Sequence, residues 1–201
     1  MIKSILFDLD GTLCDCAELH YESLNKALFE TVGIKISREE HISRFNGLPT
    51  KTKLKILGNL VKPEDHQNIF DLKQKYTIEM INTVLHEEKE KIEMHEYLKS
   101  LNIKLACVTN SINKTASLIL EKTGQLKYLD LLVSNDMIRY PKPHPEGWIV
   151  GMVSLNSLPI ETLIVEDSPV GFESAKSSGA NIYKINNSYE LTIDNIKKYI
   201  I

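Results

Sequence analysis

Two aspartates, Asp8 and Asp10, stand one residue apart where the apolar run from Ile5 to Phe7 ends, and Gly11 and Thr12 follow them. Carboxylates crowded in this way repel, and each makes the other harder to ionise. A divalent cation relieves the conflict, and magnesium in particular accepts one or two carboxylates and completes its shell with water and substrate phosphate. Glu166 and Asp167 form a second acidic cluster at the end of a later apolar run. Thr109, Asn110 and Ser111 close another such run with hydroxyls, an amide and backbone N–H groups that can hold a phosphate. Lys142 lies between Pro141 and Pro143, which restrain its backbone, and offers one fixed positive charge to a phosphorylated carboxylate.

These groups sit far apart in the chain, so regular elements must gather them. Short apolar runs at Ile5–Phe7, Ile103–Thr109, Leu129–Ser134, Thr162–Asp167 and Asn181–Ile185 read as buried parallel strands. Helical patterns intervene at 113–124, 145–156 and 169–180, the first and last meeting Gly124 and Gly179 where helices commonly stop. This alternation predicts an α/β fold, a Rossmann-like parallel sheet with helices on both faces. Ligands of such sheets bind beyond the carboxyl ends of the strands, so Asp8, Thr109 and Asp167 are expected in one crevice.

Residues 17–88 lack a comparable strand and carry helical patterning instead, with a candidate capping box at Ser37 to Glu40 and Thr50 as a candidate N-cap. The expected organisation is therefore an α/β core of residues 1–16 and 89–201 interrupted by a helical insert. The charged run from His86 to Glu93 reads as a solvated helix face beside a hinge.

Composition narrows the function. With 42% hydrophobic and 25% charged residues the chain is an ordinary globular protein. A net charge of -3 offers no basic surplus for nucleic acid, and no apolar stretch is long enough to span a bilayer. A cytoplasmic location is expected, since no basic leader or cleavage-type segment opens the sequence. Three sparse cysteines, Cys14, Cys16 and Cys107, are neither a disulfide framework nor a zinc site. A small molecule is the expected partner.

The ordered segments DLDGT, VTNS, KPHPEGW and VEDSPVG resemble the four signature motifs of the haloacid dehalogenase superfamily, in its branch of phosphatases and phosphomutases similar to beta-phosphoglucomutase. The resemblance implies that Asp8 is the nucleophile of an aspartyl-phosphate mechanism and that Asp10 is the general acid and base, a role suited to a carboxyl whose pKa crowding has raised. It implies Mg²⁺ held by the Asp8 side chain, the Asp10 main-chain carbonyl and Asp167, with Glu166 assisting. Thr109 and Asn110 would bind phosphate, with Ser111 of the same strand end expected beside them, and Lys142 would offset charge on Asp8. His20 stands where this branch often has a histidine.

In the same family the insert is a cap that closes over the crevice and selects the substrate. Gly47, Leu48, Pro49 and Thr50 resemble its substrate loop, with Lys51, Lys53 and Lys73 as nearby basic candidates, of which Lys51 and Lys73 join Thr50 as expected substrate contacts. The mutases carry an arginine for a second phosphate where this chain has Thr50, which favours water as the final acceptor. The reading is a Mg²⁺-dependent phosphatase of a small phosphomonoester, expected to be a sugar phosphate. The alternatives are a beta-phosphoglucomutase-like phosphomutase and, in another class, a phospho-accepting signalling module.

Overall fold

The computed structural model describes residues 1–200. Five parallel strands, β1 (Ser4–Phe7), β2 (Lys104–Val108), β3 (Leu131–Val133), β4 (Thr162–Glu166) and β5 (Asn181–Lys184), form one sheet in the order β3-β2-β1-β4-β5. β1 lies at the centre, with Phe7 in register with Cys107 on one side and Val165 on the other. Its residues are buried on both faces: Ile5 and Phe7 pack with Leu105, Cys107, Leu163 and Val165, while Leu6 faces Ala106, Val108, Ile164 and Trp148. Side chains alternate across a strand, so an uninterrupted apolar run is what a strand covered on both sides requires.

The nine helices of the described residues are α1 (Ala17–Val32), α2 (Arg38–Glu40), α3 (Thr50–Leu57), α4 (His66–Val84), α5 (Lys89–Ser100), α6 (Asn113–Lys122), α7 (Glu146–Ser154), α8 (Pro169–Ser178) and α9 (Ile193–Ile200). α1 to α4 fall between β1 and β2 and include no strand. They bury an apolar cluster of their own, with Leu24, Leu28, Phe45, Leu54, Leu57, Ile69 and Tyr76 at its heart. Side-chain contacts tie this helical region to the α/β core, among them Asn110 Nδ2 donating to the Gly47 carbonyl at 2.8 Å and Thr115 Oγ1 of α6 donating to Gln74 Oε1 at 2.9 Å.

Two local expectations change. Pro49 is the N-cap of α3 and Thr50 its first helical residue, so the Thr50 side chain caps nothing. The run from His86 to Glu93 is not simply a solvated face, because α5 begins within it and Lys91 is buried, donating to the Ser188 and Leu191 carbonyls at 2.6 and 2.9 Å. At the expected capping box, Ser37 accepts from the Glu40 N–H at 3.0 Å and starts the short α2.

Candidate active site

β1 delivers Asp8 to the carboxyl end of the sheet, where its N–H donates to the Val165 carbonyl at 2.9 Å. The chain then curls back: Leu13 and Cys14 both donate to the Leu9 carbonyl, and Gly11 takes a φ of 92° that L side chains rarely adopt. A Cβ at Gly11 would also collide with the Asp167 carboxylate. Glycine here both turns the chain and lets the first acidic cluster approach the second.

Lys142 joins them. Its Nζ donates to Asp8 Oδ1 at 2.5 Å and to Glu166 Oε2 at 2.8 Å, and it lies 4.1 Å from the centre of the buried Trp148 ring. Lys142 is only 5% exposed, Asp8 7% and Glu166 0%, so the three charges meet away from bulk water. Burial alone would disfavour the ammonium, but Asp8 and Glu166 reverse that and hold the Lys142 pKa above its ordinary value. Asp8 is raised, first by burial and then by Glu166, with Lys142 opposing.

Glu166 is fully engaged. Its Oε1 accepts from the Asp167 N–H, the Ser168 N–H and the Ser168 hydroxyl at 3.1, 2.9 and 2.8 Å. Ser168 also caps α8 by accepting from the Gly171 N–H at 3.0 Å, and a side chain at Gly171 would occupy the Glu166 carboxylate's position. Ser168 and Gly171 thus belong to the site although sequence reasoning did not single them out. The signal was available in the motif itself: a serine three residues before a glycine at a helix start is a capping pattern.

Oxygens of Asp8, Glu166 and Asp167 lie within 4.8 Å of one another. Asp167 is pushed up to about 7, by burial first and then by Glu166. Three carboxylates with one lysine leave surplus negative charge, and the hard oxygen donors fit Mg²⁺. Asp8 and Asp167 have the freer oxygens, whereas both Glu166 oxygens already accept hydrogen bonds. The donor set fits the metal.

Asp10 faces the other way. Its Oδ1 is 2.9 Å from His20 Nε2, and its Oδ2 accepts from the Ser111 hydroxyl at 3.0 Å. Lys73 Nζ lies 3.2 Å from His20 Nδ1, extending the chain of contacts into the helical region. Burial works against ionisation of Asp10, but His20, Ser111 and Lys73 outweigh it and bring its pKa down to about 2. One of the two crowded carboxyls is raised, as crowding predicts, but it is Asp8 and not the proposed acid Asp10, because Asp10 turns away from the carboxylate cluster toward His20, Ser111 and Lys73.

Thr109 is buried and accepts from the Ser111 N–H at 3.0 Å, leaving its hydroxyl hydrogen for another acceptor. Asn110 holds Lys142 by accepting from its N–H at 3.1 Å and donating to its carbonyl at 3.3 Å. Its side-chain amide is thus occupied by Lys142 and Gly47, so its backbone rather than its side chain is the freer phosphate-binding group.

Above these residues lies a cavity of about 740 Å³, lined from below by Asp8, Asp10 and Asn110 and from above by Thr50, Lys53 and Lys73. That is ample for a small ligand. Lys51 is exposed at its edge, 5.6 Å from the Phe70 ring centre. The buried lysine of α3 is Lys53, with its pKa brought down to about 7 by burial first and then by Lys73. Burial likewise lowers Lys73, to about 8, against the attraction of Asp10. The helical period could have separated Lys53 from Lys51, since Lys53 adjoins the stripe of Leu54 and Leu57 that α3 buries.

A parallel sheet whose central strand ends in a nucleophile-competent carboxylate, clamped by lysine among further carboxylates, defines a phosphoryl-transfer enzyme of the α/β class. The family model of haloacid dehalogenase-like hydrolases matches residues 5–185, and the chain belongs to that family. It is a phosphoric monoester hydrolase of the superfamily, an enzyme rather than a signalling module. The phosphorylated carbohydrates phosphatase of Thermotoga maritima is 29% identical over 190 residues, covering 89% of this chain and 82% of the relative. The pyrophosphatase PpaX of Oceanobacillus iheyensis is 29% identical over 167 residues, covering 83% and 75%. Among solved structures, a beta-phosphoglucomutase from Clostridium difficile superposes with a TM-score of 0.84 over 100% of this chain and 97% of its own, a likeness of fold at 24% identity. Among the described residues no helix is long and apolar enough to cross a membrane.

Proposed function

We propose that the protein is a Mg²⁺-dependent phosphatase of a small phosphorylated metabolite, a sugar phosphate in the first instance, working through an aspartyl-phosphate at Asp8. The observation that carries this reading is the Lys142 bridge between Asp8 and Glu166, with Asp167 alongside. It makes Asp8 both electron-rich and electrostatically supported where a phosphoryl group can enter.

Asp8 attacks phosphorus, the bond to the leaving oxygen breaks, and Asp10 donates the proton that this oxygen needs. A dianionic phosphoryl group arriving beside Asp10 raises its proton affinity, so the acid form is generated with substrate bound. Asp10 then takes a proton from water as that water attacks the phosphoaspartate, and inorganic phosphate leaves. Thr109, the backbone of Asn110, and Ser111 orient the phosphoryl oxygens, while Lys142 balances charge on Asp8 in both steps. Asp8, Asp167 and the Asp10 carbonyl would hold Mg²⁺, which would supply charge neutralisation for the transferring group. Glu166 acts by fixing Lys142 and the Asp167 loop. Enhancements for monoester hydrolysis approach ~10²¹ whereas one acid–base residue gives ~10² to 10⁴, so these contributions must combine.

Residues 17–88 act as the cap, with His20, Thr50, Lys51 and Lys73 at or near the substrate. Water as the final acceptor is supported by Thr50, which provides no guanidinium for a second phosphate. The test is phosphate release from p-nitrophenyl phosphate and a panel of phosphosugars, small phospho-acids and pyrophosphate, with and without Mg²⁺. Acid quench and mass spectrometry should find a phosphoryl group on the peptide containing Asp8. Isomerisation of beta-glucose 1-phosphate, or an adduct on any other residue during turnover, contradicts the reading.

A further inference from the structure

Trp148 is the only tryptophan of the chain, and it is fully buried. Its indole Nε1–H nevertheless has no hydrogen-bond partner among the described residues. A buried donor left unpaired is costly, and a side chain wanted only for its bulk would be Phe or Leu, which carry no such group. The ring must therefore do something that an apolar filler cannot.

Its face shows what that is. Lys142 Nζ lies over the ring, 4.1 Å from its centre. Other cations of the molecule lie over rings, Lys26 on Tyr76 at 3.8 Å for one, but those cations reach solvent; among the described residues Lys142 and Trp148 are the pair in which both partners are buried. The attraction between an ammonium and an aromatic face is small in water and larger when water is excluded, and indole offers the strongest such face. An ammonium has three hydrogens. Asp8 and Glu166 accept two of them, and no third oxygen accepts from Lys142 among the described residues.

Local structure fixes the ring in this place. Glu146, the first residue of α7, accepts from the Arg139 and Tyr140 N–H groups at 3.0 and 2.8 Å, which ties the helix start to the segment carrying Lys142. A Cβ at Gly147 would stand 2.9 Å from Val108, and one at Gly151 2.7 Å from Leu6, so α7 lies close upon β1 and β2. Trp148 packs in the same cluster as Leu6 and Val108, beneath the strand ends that carry Asp8 and Thr109.

We infer that Trp148 is a positioning residue of the reaction, its ring face forming the third side of the seat that holds the Lys142 ammonium. This rests on the phosphatase reading and deepens it. As the Asp8 carboxylate attacks phosphorus, the charge that Lys142 balances passes toward the phosphoryl oxygens. An oxygen acceptor on the third side would hold one N–H in a fixed direction. A π face attracts the ammonium without doing so, and leaves it free to serve Asp8 before the transfer and the phosphoryl group after it.

Because the chain has a single tryptophan, growth of a tryptophan auxotroph on fluorinated tryptophans changes this ring alone. Each fluorine withdraws negative potential from the face at almost unchanged size. Through mono-, di- and tetrafluorotryptophan, kcat for p-nitrophenyl phosphate with Mg²⁺ should fall step by step to about 10- to 30-fold below the unsubstituted enzyme, while the urea midpoint stays level. The first two members suffice should the last fail to fold. Trp148→Phe should keep more of kcat than Trp148→Leu. A kcat that is flat across the fluorinated series, or that follows the urea midpoint instead of the number of fluorines, overturns the inference in favour of a packing role. Failure of the unsubstituted enzyme to hydrolyse p-nitrophenyl phosphate would instead contradict the phosphatase reading. The seat is then judged by the emission of Trp148, which Lys142→Met, or Lys142→Gln if the first is insoluble, should shift by removing the charge over the ring; unchanged emission would show that no ammonium stands there.

Discussion

At the carboxyl ends of β1 and β4, each buried charge has an answering group: Lys142 bridges Asp8 and Glu166, and Ser168 and backbone N–H groups saturate the rest of Glu166. Under the helical region Lys73 reaches His20, but Lys53 reaches nothing among the described residues. The floor of the crevice is therefore cross-linked by its own ion pairs and hydrogen bonds, while Lys53 in the roof makes none among the described residues. Rigid strand ends suit the shared chemistry, which demands positions good to a fraction of an ångström. The roof, carried on helices joined to the core by two chain crossings, can change its side chains without disturbing the floor.

The largest expected effect breaks the floor. Asp8→Asn should lower kcat for phosphate release on the order of 10⁴-fold or more, since no nucleophile remains, and phosphoryl adduct should vanish from that peptide. A variant retaining a tenth of wild-type turnover would end the floor's claim to the chemistry. Asp10→Asn should follow at ~10² to 10⁴-fold, the range of one proton-transfer group, with the larger loss for substrates whose leaving group most needs a proton. Equal losses for p-nitrophenyl phosphate and an alkyl phosphate would argue against that role.

Glu166→Gln tests whether saturation matters. It keeps the shape but weakens the grip on Lys142, and should cost about 10- to 100-fold in kcat, the usual toll for a group that orients metal ligands and their partners. Unchanged kcat at saturating Mg²⁺ would show that Lys142 needs Asp8 alone. Gly171→Ala forces a methyl group onto the Glu166 carboxylate and should lower stability by about 1 to 3 kcal/mol, read as a drop in the urea midpoint.

The smallest effect concerns a neutral base beneath the floor. His95 is fully buried against Gln125, and burial brings its pKa down to about 4. A base depressed from 6.5 to about 4 binds more protons unfolded than folded between those values, so its contribution is complete above 6.5 and is lost as pH falls toward 4. The urea midpoint should therefore drop from pH 7 to pH 5, with His95 contributing about 2 kcal/mol beside the likewise depressed His20 and His41, and His95→Gln should make that drop smaller. An identical pH slope in the variant would assign the effect elsewhere.

Much of the core could be read from local pattern. The runs expected at 103–109, 129–134, 162–167 and 181–185 contain β2 to β5, and Gly179 ends α8 in the left-handed conformation. Asp8, Thr109 and Asp167 were legible for the same reason, because each closes an apolar run, whereas Lys142 lies in the proline-flanked segment between β3 and α7. Less was legible where tertiary contact decides. Nothing local distinguished Lys91, held by two carbonyls from the far end of the chain, from its charged neighbours. Nor did proximity in sequence reveal that Asp10 would turn to His20 and Ser111.

Residue order alone determined which strands form, that they run parallel, and that Asp8, Thr109 and Asp167 share one end of the sheet, because hydrophobic period and chain direction are properties of short segments. Which lysine is buried and which carboxyl is raised were decided only in three dimensions, since solvation and Coulomb interaction depend on neighbours that the chain brings together from far away.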